Sequence, residues 1–165
     1  MAELTNLETK LAEVIGLAMA AQDATEKVRK LVEEEGEDGL ARSLETMAEE
    51  AEQAARRGTQ LAKRFEGKKT AILDEARTVK TKAANMMSTY LDSDADALDG
   101  FEFLTMAEAS EVGHWSVLEK LNERAGHPEL GELVAAQLPI QRRHLRDAME
   151  ASIELAAKED PDETG

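Results

Sequence analysis

The first proline of the chain is Pro128, and the 127 residues before it are dominated by Ala, Glu, Leu, Lys, Arg and Met. Proline disrupts a helix interior by about 3 kcal/mol, whereas the six favoured residues all have high helix propensity. β-branched residues never gather into strand-like alternation, and aromatic residues make up only 3% of the sequence. The chain is therefore expected to be all-α. Its 165 residues suit one domain able to bury roughly two thirds of its unfolded surface.

Breakers divide the chain into five helices. The first begins near Thr5 or Asn6, with Asn6 as candidate cap, and stops in EEEGEDG at Gly36 and Gly39. Its apolar line is Leu7, Leu11, Val14, Ala18, Ala21, Val28 and Val32, at steps of three and four with Thr25 bridging the one gap. The second carries Leu40, Leu44, Met47, Ala51, Ala54, Leu61 and Phe65 and stops at Gly67. The third runs from about Thr70 to Leu91. The stretch LDSDADALDG reads as a polar linker with a cap at Ser93, Asp94 or Asp96. The fourth helix runs from about Ala97 to Arg124, and Gly126, His127 and Pro128 make the next turn. The fifth runs to about Lys158, which gives a helical domain over 1–158 and an acidic, disordered tail over 159–165. Helices this long with short connections pack as an antiparallel bundle.

The charge bears on partners. The 35 acidic and 20 basic side chains leave a formal charge of −15, which repels phosphate and argues against nucleic acid or an anionic membrane face as partner. No apolar run approaches the roughly 20 residues that span a bilayer. The N-terminus MAELTNLETK lacks a secretory pattern, so a cytoplasmic location is expected. There is no cysteine, which removes disulfides, thiolate metal sites and thiol catalysis. The charge is uneven. Residues 53–90 hold nine Lys or Arg against three acids, a local +6 within a remainder of −21. This strip is either a solvated face or a self-association surface that meets an acidic face of a second subunit.

In a bundle the informative residues are polar ones that keep the phase of the core, because burying an unpaired charge costs several kcal/mol. On the fourth helix Leu104, Glu108, Glu111, Trp115 and Leu118 form one stripe. His114 stands beside it, in a Glu-x-x-His spacing with Glu111, and Gly113 between them would allow a close helix approach. On the fifth helix Leu130, Val134, Leu138, Gln141, Leu145 and Ala148 form the stripe, with Leu133, Gln137 and His144 adjacent. Gln141 and His144 repeat the same spacing with Gln in place of Glu, and Pro139 should kink the helix nearby. Gln22 lies at the edge of the first helix's stripe, and Glu50 flanks Met47, Ala51 and Ala54 on the second. Helical bundles that hold two metal ions place Glu and Glu-x-x-His side chains inward in this way. Hydrogen bonding within a polar core layer is the simpler account of the same residues.

At the fourth and fifth helices the block AEASEVGHWSVLEKLNERAGHPELGELVAAQL resembles the last two helices of the YciE/YciF-like stress-associated proteins, within the ferritin-like superfamily. Near the N-terminus AQDATEKVRKLV, and further on AEEAEQAARR, fall where that family has matching segments. The resemblance implies a ferritin-like antiparallel four-helix bundle with one additional helix, paired as a homodimer. It also implies a two-metal site of iron or manganese with oxidation chemistry. The family's first-helix and last-helix glutamates fall on Gln22 and Gln141, and its second-helix histidine on Thr46, with Glu49 or Glu50 beside it. Each Gln removes a negative charge that a pair of divalent ions needs. The expected ligand set is Glu111, His114, His144, Glu108 and Glu50, with Gln141 and Gln22 as amide partners. One metal ion, a weakened pair, or no metal in a bundle acting through dimerisation or partner binding all remain open.

Overall fold

The computed structural model describes residues 2–164, and the two terminal residues of the 1–158 and 159–165 divisions, Met1 and Gly165, lie outside it. Among the described residues there are five helices and no strand: α1 Asn6–Glu34, α2 Asp38–Ala62, α3 Lys69–Tyr90, α4 Ala97–Ala125 and α5 Pro128–Ala156. None is long and apolar enough to cross a membrane.

Local chemistry sets the ends. Thr5, rather than Asn6, caps α1. Its hydroxyl accepts from the Glu8 backbone N–H while the Glu8 carboxylate accepts from the Thr5 N–H, satisfying two of the helix's orphan donors. Asp96 and Asp99 make the same reciprocal pair at the start of α4. Gly36, at φ 78°, turns the chain after α1, but Gly39 does not stop a helix because it sits in the first turn of α2. α2 closes at Ala62, so Phe65 belongs to the turn and not to the helix. Pro128 opens α5, where its missing N–H costs nothing. The helix continues unbroken through the exposed Pro139.

Cross-chain contacts fix the directions. The Ala97 N–H donates to Glu35, placing the start of α4 beside the end of α1. Lys158, just past α5, pairs with Glu37 at the start of α2, and Arg64, beyond the end of α2, pairs with Glu129 at the start of α5. Lys68 reaches Glu8 at 4.0 Å, Lys80 reaches Asp23 at 3.0 Å, and Lys27 donates to the Leu91 carbonyl. α1 is thus antiparallel to α2 and α4, α5 is antiparallel to α2 and α4, and α3 runs parallel to α1. Contacts run around a ring from α1 to α2, α5, α4 and back, with α3 packed chiefly on α1. α3 carries the chain from one end of the ring to the other.

Gly16 lets α3 come this close. A Cβ there would stand 2.4 Å from the Ala76 carbonyl oxygen and 2.8 Å from the Val79 Cβ. Gly113, expected to serve a close approach, is exposed, with nothing near where its Cβ would be.

The interior divides into two apolar clusters. The lower one joins Leu11, Val14 and Ile15 to Leu61, Ile72, Trp115, Leu118 and Leu133. The upper one joins Val28 and Val32 to Leu44, Phe101, Leu104 and Leu155. Each large side chain taken fully from water stabilises the fold by roughly 1.5–3 kcal/mol. Glu108 and Glu111 of α4 and Gln137, Gln141 and His144 of α5 are buried between the two clusters, while buried Asn122 closes the turn at the end of α4 on the His127 backbone.

Candidate functional site

The buried polar layer draws on three helices. α4 contributes Glu108 and Glu111, and α5 contributes Gln137, Gln141 and His144, all 3% exposed or less. α2 contributes Glu50 from the edge, its side chain 19% exposed. At this level α1 presents Ala18 and Ala21, which carry no donor. The expectation that Glu108 and Glu111 share the stripe of Leu104, Trp115 and Leu118 is met. On α5 the buried face is centred nearer Gln137, Gln141 and His144 than the apolar periodicity suggests, and Leu145 is only partly buried.

His144 is held between two carboxylates. Its Nε2 lies 2.8 Å from Glu50 Oε2, and its Nδ1 lies 3.5 Å from Glu108 Oε2. Arg143 also donates to Glu50. Burial alone would lower the imidazole's proton affinity, but Glu108 and Glu50 outweigh it and hold the pKa above the ordinary histidine value. At Glu50, burial is outweighed by Arg143 and His144, so its carboxyl lies below the usual range. Glu111 goes the other way. Burial and the neighbouring negative charge of Glu108 push it well above the usual carboxylate value. Its Oε2 accepts from Gln141 Nε2 at 3.0 Å.

Four fully occluded atoms in or beside the layer have no hydrogen-bond partner: Glu108 Oε2, Gln137 Oε1, Gln141 Oε1 and the Trp115 indole N–H. Because α4 and α5 are antiparallel and Glu111 faces Gln141, Trp115 and Gln137 share a level. One bridging water would satisfy that donor and that acceptor. Glu108 Oε2 and Gln141 Oε1 are both acceptors.

Two expected site residues are elsewhere. His114 is turned outward, its side chain 34% exposed, with Nδ1 at 2.8 Å from the Ser110 carbonyl and Nε2 at 3.6 Å from Glu13. Gln22 is half-buried on the outer seam of α1 and α2, among Glu26, Arg29, Glu45 and Glu49, with only a 3.5 Å contact to the Ala18 carbonyl. Thr46 and Glu49 are exposed on α2, and the Thr46 hydroxyl is spent on the Arg42 carbonyl. The structure therefore brings together Glu50, Glu108, Glu111, Gln141 and His144, and leaves out Gln22 and His114. Gln137, read from the sequence as adjacent to the fifth helix's stripe but not among the expected ligands, joins the layer, as does Arg143 through Glu50.

This donor set does not fit a pair of metal ions. Among the described residues no three His, Asp or Glu side chains are grouped to hold a metal ion. Glu50 and Glu108 approach His144 from opposite edges of its ring, so the three do not face one point. Arg143 competes for Glu50, and α1 supplies nothing. Comparison with family models, with curated proteins and with solved structures returns no match.

Proposed function

We propose that this protein is a metal-free bundle of the ferritin-like kind, related to the YciE/YciF-like stress-associated proteins, that acts as a scaffold through homodimerisation or partner binding. The ring of α1, α2, α5 and α4, with α3 as the long crossover, supports the ferritin-like reading, since one long connection between two antiparallel pairs characterises that fold.

The observation that carries the metal-free reading is the charge balance of the layer. His144 as imidazolium and Arg143 offset Glu50 and Glu108, while Glu111 is held toward its neutral form. With His144 protonated and Glu111 neutral, the layer balances without an added cation. An imidazolium has no lone pair for a metal, so a metal at His144 would have to displace a proton that both neighbouring carboxylates favour. Such a layer fixes the register of two helices at some cost in stability.

Two occluded acceptors without a hydrogen bond, Gln141 Oε1 and Glu108 Oε2, the latter only in a 3.5 Å ion pair with His144, favour a second reading, in which one divalent cation sits among Glu108, Glu111, Gln141 and His144. Elemental analysis of protein produced with added iron or manganese separates them. The metal-free reading expects trace metal only, the same in wild type and in a Glu111→Ala/His144→Ala double variant. About one metal ion per chain, lost in the double variant, would establish the second. For the scaffold role, sedimentation should give twice the mass of 18.1 kDa, and a monomer at all concentrations would remove homodimerisation.

A further inference from the structure

A cleft opens between α3 and α4 over α1 and leads down to the polar layer. α3 buries Ala71, Ile72 and Ala76 in its first half but nothing fully beyond them, and its contact with α4 is slight. In the gap the half-buried Leu17 and Ala20 and the buried Ala21 and Ala24 of α1 line the floor, and Met86, Met87 and Met106 stand on the two walls. Small floor residues make the cleft deep, and flexible methionines let its walls adapt to what enters. The polar groups along it are Asp23, already paired with Lys80, Ser110, and Glu111 at the bottom. Glu111 is only 3% exposed, and the Gln141 amide engages one of its oxygens. The other, Oε1, has no hydrogen-bond partner, yet it is not among the fully occluded unpartnered atoms, so it is open to the cleft.

We propose that this cleft binds a neutral straight-chain aliphatic molecule ending in a hydroxyl, with the chain on the alanine floor and the hydroxyl on Glu111 Oε1. A hydroxyl both donates and accepts, so it complements the carboxyl in either protonation state. An ammonium head would have to shed its water in an apolar slot, at several kcal/mol. A carboxylate head would meet Glu108 and a chain of net charge −15. From Leu17 to Ala24 the floor runs about 10 Å, close to an extended octyl chain. Binding of this kind rests on the metal-free reading, because a cation in the layer would draw on Glu111; elemental analysis of the same sample tells a failure of that reading from a failure of this one.

The test titrates the full chain, labelled with ¹³C at methionine methyls, with 1-octanol. Saturable shifts are expected at Met86, Met87 and Met106, with Met47, in the upper apolar cluster, unmoved. Octylammonium and octanoate should bind at least about tenfold more weakly. Ala84→Leu, which fills the cleft from α3, should abolish the shifts, and Ala107→Met does the same from α4 if the first variant folds poorly. Glu111→Leu should weaken octanol about tenfold, the worth of one hydrogen bond to a buried group. Shifts that never saturate or that include Met47 equally, tighter binding of either charged probe, or full octanol affinity in Glu111→Leu would each overturn the proposal.

Discussion

Glu111 and His144 both bind a proton more tightly in the folded chain than in the unfolded one, for different reasons. His144 is held charged by its two carboxylates, so its contribution is complete below the ordinary value of 6.5 and is lost as pH rises through the folded pKa. Glu111 is held toward its neutral form by burial. It costs nothing below 4.5, and the cost grows as pH rises from there toward its folded value. Both therefore make the fold less stable as pH rises, Glu111 from 4.5 upward and His144 from 6.5 upward. Glu50, lowered on folding, contributes above 4.5 and is lost as pH falls below it. Glu111→Gln keeps the shape and the acceptor for Gln141 but cannot ionise. Urea midpoints should show it equal to wild type at pH 4.5 and more stable by about 1 kcal/mol at pH 8. A wild-type advantage at pH 8 would mean that the carboxylate form is the one the layer needs.

Among the helices, the two glycines of contrasting surroundings give a paired test. Gly16→Ala drives a methyl into the Ala76 carbonyl and should lower stability by about 2 kcal/mol. Gly113→Ala meets nothing and should raise it by about 1 kcal/mol through helix propensity alone. Thr5→Ala, which removes one half of the α1 capping pair, should cost about 1 kcal/mol, all three variants being read from urea midpoints. The five helices were legible in the sequence because breakers and periodicity act locally. Glu108, Glu111 and Gln141 were legible because their spacing to large apolar neighbours on the same helix fixed their phase. His114 and His144 share one spacing behind their partners yet part company. The buried face of α4 is centred between Leu104 and Trp115, which leaves His114 roughly 80° away. That of α5 is rotated the other way, which brings His144 inside. Rotation of that size is set by the neighbouring helices, and no single-helix pattern contains it. Gln22 fails for the same reason: at a stripe's edge, α2 decides which side is inside.

For the molecule as a whole, the largest electrostatic effect is self-repulsion. The +6 strip of residues 53–90 does less to offset it than its count suggests. Arg56, Arg64, Lys68, Arg77 and Lys80 are engaged with acids of the same chain, mostly at exposed positions where a pair contributes about 0–1 kcal/mol. A net −15 therefore remains to be screened. Raising salt from about 10 mM to 150 mM shortens the screening length from roughly 30 Å to 8 Å, and the melting temperature should rise by about 5 °C. A flat or falling response would mean that the ion pairs outweigh the repulsion.

The division of the interior has a consequence for synthesis. Each apolar cluster takes pieces from α1, α2, α4 and α5, with the lower one ending at Leu138 and the upper one at Leu155. No continuous fragment that stops short of α5 owns a finished core. A chain whose α5 has not yet been made therefore leaves both interiors open on one side, and its high net charge opposes association with its neighbours in that state.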